Sequence, residues 1–247
     1  MRLTVLVLFL VFTPARLIAA DSAQQIVDKS IAYHGGSIYT SSETSMVITS
    51  KSGTFELTSK VSGGTFDHRV TRVRNGREEF VRLTNDSVEV TALGETTLFE
   101  GESAERLTRF IYERVYFPFL PYRLNDPGVI KTDLGHEVWN GRTLRKIKIT
   151  FEGAAADGDE YVYWFDPATG RLEQYAYSFS NNAGGLRLRR GFDYRRVGGL
   201  LFFDSENIGL SGTEHSVDEI TPEFVASKMA TISTVKLSDV AVRRLSD

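Results

Sequence analysis

The chain contains no cysteine. This excludes a disulfide framework, thiol catalysis, thiolate metal sites and a lipid-modified N-terminal cysteine. Histidine is scarce, with four in 247 residues. His68, His136 and His215 stand singly, with none of the spacings that metal ligands share, so no metal is expected. No nucleophile elbow, phosphate-binding loop or dinucleotide fingerprint occurs, and no serine, histidine and acid set can be assembled from spacing. The expectation is a protein without cofactor that is not an enzyme. Excess positive charge is also lacking. The formal net charge is −3, and a nucleic-acid partner is not expected.

Long apolar runs are missing too, apart from the N-terminus. There Met1-Arg2 precedes an apolar stretch, Leu3 to Phe12, that is too short to span a bilayer. Pro14 ends it, and Leu17-Ile18-Ala19-Ala20 offers small residues for cleavage. This is the pattern of a signal peptide over residues 1–20, cut near Ala20, and it predicts a periplasmic or secreted protein. A retained anchor helix is the alternative, disfavoured by the short run and by Arg16. Cleavage would remove Arg2 and Arg16 and no acid, taking the net charge from −3 to −5. The remaining 21–247 carries no repeat, linker or low-complexity run and is expected to form one domain with no membrane span.

Ser22 followed by Gln25 predicts a capped helix, with Ala23, Ile26, Val27, Ser30, Ile31 and His34 on one face and Gly35-Gly36 as its stop. His34 in the last turn would complement the helix dipole when charged. From Thr40 the hydrophobic period becomes two. Strands are expected over 54–61, 66–74, 79–84 and 87–93, with Asn75-Gly76 as a hairpin turn. Glu102 to Arg114 reads as a helix that Pro118 and Pro121 cannot let continue. Strands resume over 135–140, 142–151, 160–165, 171–179, 186–194 and 200–210, with a last long strand over 223–236. The spacing of about ten residues between Gly turns argues a barrel or sandwich-like antiparallel sheet with helices.

The stretch from Thr108 to Gly128 concentrates apolar bulk beside proline. Phe117 to Val129 (FPFLPYRLNDPGV) and Asn140 to Phe151 (NGRTLRKIKITF) resemble a family of uncharacterised secreted bacterial proteins, a domain of unknown function. So do Asp157 to Phe179 (DGDEYVYWFDPATGRLEQYAYSF), Val197 to Phe203 (VGGLLFF) and Tyr33 to Gly36 (YHGG). That family is in turn similar to periplasmic lipoprotein carriers of the LolA type. The resemblance implies an α+β fold: a strongly curved, unclosed antiparallel β-barrel with helices covering the concave face. It also implies an apolar ligand, a lipid or the acyl chain of a lipoprotein, held in the half-barrel under a helical lid. Phe110, Tyr112, Tyr116, Phe117, Phe119, Leu120 and Tyr122 are the candidate ligand-binding residues, since such a ligand needs aromatic and aliphatic walls. The same side chains could instead plug the barrel as core. The protein would then be an envelope structural or interaction module with a protein partner and no ligand.

Two charged groups need a reading as well. Asp157, Asp159 and Glu160 do not match a calcium loop and read as a solvated strand entry. Asp126 or Asp159 would be the acid of any cavity enzyme. Arg187, Arg189, Arg190, Arg195 and Arg196 form a basic cluster in which Arg187 and Arg189 share a strand face. They could meet anionic headgroups, or form a solvated face paired with acids.

Overall fold

The computed structural model describes residues 21–152, 160–180 and 184–245. The expected signal peptide, Asp157, Asp159 and the turn at 181–183 lie outside them.

The first helix, α1 (Ala23–His34), forms as its cap dictates. Ser22 Oγ accepts from Gln25 N while Gln25 reaches back to the Ser22 backbone, and Gly35 stops the helix at φ 123°. Its inner face buries Ile26 and Val27. Six strands follow as a meander: β1 (Ser41–Ser50), β2 (Gly53–Ser62), β3 (Thr65–Arg74), β4 (Arg77–Thr84), β5 (Val88–Ala92) and β6 (Glu95–Phe99). Helix α2 (Gly101–Tyr116) interrupts them. A second meander runs through β7 (Val129–Trp139), β8 (Arg142–Phe151), β9 (Tyr161–Phe165), β10 (Leu172–Phe179), β11 (Gly185–Val197) and β12 (Leu200–Ser211). Helix α3 (Pro222–Lys228) and β13 (Ala230–Arg244) end the chain.

All thirteen strands form one sheet in the order β6-β5-β4-β3-β2-β1-β13-β12-β11-β10-β9-β8-β7. Every pairing is antiparallel. Strand β13 joins the two meanders by pairing with β1 on one side and β12 on the other. The sheet does not close, because β6 and β7 remain its two edges. Helix α2 is the link between those edges, so the chain carries it across the open side of the half-barrel. The expected fold class is therefore the observed one.

The strand period explains why both faces of the second meander are apolar. Tyr163, Phe165, Ile147 and Ile149 point to the concave face, where Ile26, Val27, Leu120 and Leu124 cover them. Their neighbours Val162, Trp164, Leu144, Ala176, Leu186 and Leu188 point outward. That outer face is covered by Val217, Ile220, Phe224 and Val225, from the short 3-10 turn Val217–Glu219 and α3.

The structure corrects four local expectations. The long strand expected over 223–236 begins as α3, because Thr221 Oγ1 caps Phe224 N and Pro222 supplies a preorganised first turn. Strand β6 was not anticipated. It follows a two-residue turn at Leu93-Gly94 with φ 53° and 82°, a conformation read less readily from Leu-Gly than from Asn-Gly. Strand β7 starts at Val129 rather than Gly135, because Gly135 sits in a bulge between Asp133 and His136 instead of marking the strand's start. His34 does not carry a dipole-complementing charge. Burial pushes its pKa down to about 4, and its Nδ1–H donates to the Ser30 carbonyl at 2.8 Å.

Candidate functional site

The concave face owes its occupation to α2 and the chain that follows it. Ile111 and Val115 are fully buried against the first meander. Pro118 cannot extend the α-helix, so Phe117–Phe119 tightens into a 3-10 turn and Tyr122–Asn125 forms a second one. This folds the aromatic stretch back on itself.

The seven residues singled out in that stretch separate. Phe119 and Leu120 are buried in different clusters, one on each side of the turn. Phe119 and Tyr122 both pack on Tyr39, with ring centroids 4.8 and 4.2 Å apart. Tyr116 meets Tyr163, oxygen to oxygen, at 3.0 Å. Burial raises the pKa of both phenols. Phe110 and Tyr112 lie under guanidinium groups, Arg114 at 3.8 Å over Phe110 and Arg123 at 5.3 Å over Tyr112. Phe119, Leu120 and Tyr122 line a small space of about 20 Å³, and Phe117 alone of the seven borders the larger cavity, stacking on Tyr175 and Tyr177 at 5.6 Å each.

That cavity has a volume of about 460 Å³, within the range of small-molecule sites. Phe117 and Pro118 bound it from the turn after α2. Phe55, Tyr175, Tyr177, Phe179, Phe203 and Leu237 supply apolar wall from β2, β10, β12 and β13. Ser50, Ser52, Ser205 and Glu113 add polar groups, and Glu113, 59% exposed, marks the side open to solvent. These wall residues come from strands far apart in sequence. A period-two reading shows which residues share a face of one strand but not which strands curve to meet.

Three arginines border the same space: Arg114, Arg187 and Arg189. Arg114 lies over Phe55 at 4.1 Å, and its Nη1 donates to the Phe110 carbonyl at 2.7 Å. Burial holds its pKa below the ordinary arginine value. Arg187 lies over Phe179 at 4.5 Å, and its Nη1 donates to the Leu186 carbonyl at 2.9 Å. The basic cluster is thus divided by strand geometry. Arg187 and Arg189 face inward while Leu186 and Leu188 face outward. Arg190, on the outer face, pairs with Glu206 at 3.4 Å. Arg195, beyond a bulge, pairs with Asp204 at 3.0 Å. Arg196 donates to the Tyr33 carbonyl at 2.7 Å. The signal for the inward pair was its alternation with Leu186 and Leu188; what it lacked was the outer cover of Val217 and Ile220, which makes the leucine side a core.

The remaining polar candidates are engaged elsewhere. Asp126 accepts from Arg123 at 2.7 Å, and His68 Nδ1 lies 3.0 Å from Ser59 Oγ with its pKa pushed down by burial to about 4. Among the described residues no group of three or more His, Asp or Glu is placed to hold a metal ion. Among the same residues no helix is long and apolar enough to cross a membrane.

The model of a family of unknown function, DUF6503, matches residues 4–235 of the chain. Among solved structures, the chain is similar to a LolA superfamily protein, NE2245 from Nitrosomonas europaea. The identity is 11% and the TM-score 0.53, over 92% of this chain and 95% of that one. It is also similar to a DUF1329 family protein from Desulfovibrio piger ATCC 29098, at 13% identity and TM-score 0.51, over 90% of this chain and 93% of that one. At such identities the likeness is one of fold. No curated protein matches the sequence.

Proposed function

The chain belongs to the DUF6503 family of unknown function, and we propose that it is a periplasmic or secreted binding protein that holds an apolar ligand in its half-barrel. A signal peptide over residues 1–20 would deliver residues 21–247, as one domain, to that compartment. The ligand class is a lipid or the acyl part of a lipoprotein. The observation that carries this reading is the aromatic-walled cavity of about 460 Å³ on the concave face, beneath Phe117 and Pro118. The fold shared with a LolA superfamily protein supports it. Burying acyl chain there gains about 0.8 kcal/mol per CH₂, and release would involve a shift of the covering segment, Glu102 to Leu120. Of the candidate ligand-binding residues, Phe117 would touch the ligand. Phe110, Tyr112, Tyr116, Phe119, Leu120 and Tyr122 would hold the turn that bounds it.

The test is lipid extraction of the natively secreted protein followed by mass spectrometry. A stoichiometric acyl compound is the expected result. No bound compound, together with no effect of added long-chain alcohol on melting temperature, contradicts the reading.

A second reading is favoured by the filled part of the concave face around Tyr163 and Leu124, both fully buried. On it the protein is an envelope interaction module. It would give a stable protein partner in cross-linked pull-downs and no ligand.

A further inference from the structure

We infer that the cavity takes a single-chain amphiphile with an anionic head, its carboxylate or phosphate seated against Arg187 and Arg189. This rests on the apolar-carrier reading and adds the head chemistry to it.

The argument begins with strand alternation. Residues two apart on β11 share a face, about 7 Å apart, so Arg187 and Arg189 present two cations side by side. Each lies opposite an aromatic wall residue of β10, Arg187 against Tyr177 and Arg189 against Tyr175. On the other side Arg187 lies opposite Gly209 of β12. A Cβ at Gly209 would stand 2.8 Å from Arg187 Nη1 and 3.1 Å from its Cδ. The missing side chain therefore makes the room in which Arg187 lies across the strand. Its guanidinium is held by the Leu186 and Leu210 carbonyls and the Phe179 ring, all uncharged.

Arg189 is less satisfied still. Its Nε and Nη1 are buried and have no hydrogen-bond partner among the described residues. Neither arginine forms an ion pair with an acid among those residues, whereas Arg190 and Arg195 on the same strand both do. Among the described residues the single carboxylate on the wall, Glu113, lies 3.5 Å from Arg114. The wall thus carries three guanidinium groups and one acid, beside apolar rings. Arginine stays charged in proteins, and a buried charge is compensated by pairing and hydrogen bonding. A planar fork with free N–H groups suits a carboxylate or phosphate. A neutral lipid would bury its chain and leave those groups unmet. A free anion would meet them and leave the half-buried rings of Tyr177 and Phe179 facing water.

The test compares ligands with one tail and different heads: dodecanoate, dodecyl phosphate, dodecanol and dodecyltrimethylammonium, with inorganic phosphate as the tail-less control. Calorimetric titration of the purified protein is done below the micellar range. Dodecanoate and dodecyl phosphate are expected to bind at least tenfold tighter than dodecanol, and the ammonium weakest. In the double variant R187Q/R189Q that preference should vanish while dodecanol still binds. If dodecanol and dodecanoate bind the wild type equally, or the preference survives in the double variant, the anionic-head assignment is overturned and the carrier reading stands. If no tailed compound binds, both fall. If inorganic phosphate binds as well as dodecyl phosphate, the cavity is an anion site and not an amphiphile site. Should the double variant fail to fold, salt titration of the wild type decides. Added NaCl must weaken dodecanoate binding several-fold and leave dodecanol binding unchanged.

Discussion

The two ends of the concave face are built from the same residue types and end differently. At one end α1 and the turn after α2 press Ile26, Val27, Leu120 and Leu124 onto Tyr163, Phe165 and Ile147, and the interior is filled. At the other, Tyr175, Tyr177, Phe179 and Phe203 face a cavity of about 460 Å³ with Arg187 and Arg189 on its wall. What separates a core from a site here is the reach of the covering chain. Pro118 ends the α-helix, and the 3-10 turn directs Leu120 toward the filled end and Phe119 to the separate cluster around Tyr39, while Phe117 remains at the cavity. Aromatic content alone does not distinguish them.

The largest effect should come from truncations that test this contrast. Leu124→Ala removes a fully buried side chain in the filled end and should destabilise by about 3–5 kcal/mol, whereas Leu237→Ala on the cavity wall should cost about 2 kcal/mol, since it enlarges a space already present. Urea denaturation measures both. Equal costs would mean that the two ends are packed alike.

Next in size is a pH effect. His34, beside the filled end, and His68, under the first meander, have pKa values pushed down to about 4 by burial. In the unfolded chain each returns to about 6.5 and binds a proton more readily. Stability is therefore complete above about pH 6.5 and falls as the pH drops toward 4. The loss between pH 7 and pH 5 should be about 2 kcal/mol per histidine. H34Q and H68Q should each flatten this slope in paired urea titrations. A slope unchanged in both variants would show that the histidines are protonated equally in the two states.

A smaller effect is expected at the Tyr116–Tyr163 contact. Tyr116→Phe removes one buried hydrogen bond at 3.0 Å and should cost about 1 kcal/mol in thermal melts. The smallest stability effect belongs to R187Q and R189Q. Each removes a guanidinium that has no acid partner among the described residues, so the melting temperature should hold or rise while the preference for anionic heads is lost.

Much of the scaffold was readable from the residues. The Ser22 and Gln25 cap, the Asn75-Gly76 turn and the break at Pro118 each act through neighbouring backbone, and each is where local chemistry puts it. One failure was local: within the strand expected over 223–236, the Thr221 cap and Pro222 start a helix whose apolar residues Phe224 and Val225 cover the outer face of the second meander. The cavity was less legible than the fold. Its wall draws on β1, β2, β9, β10, β11, β12 and β13, and strands so far apart in sequence meet because β13 pairs with both β12 and β1. The basic cluster on β11 was visible as five arginines. Its division into paired outer and unpaired inner members depends on Val217 and Ile220, with α3, covering Leu186 and Leu188.

The contrast between filled end and cavity is tested most directly by ring signals in NMR. Dodecanoate is titrated into protein carrying isotope-labelled Phe and Tyr rings. The account predicts saturable shifts for Tyr175, Tyr177, Phe179 and Phe117, with Tyr163 and Phe165 unmoved. Shifts confined to Tyr163 and Phe165, or no ring shift at a concentration where calorimetry registers binding, would contradict it.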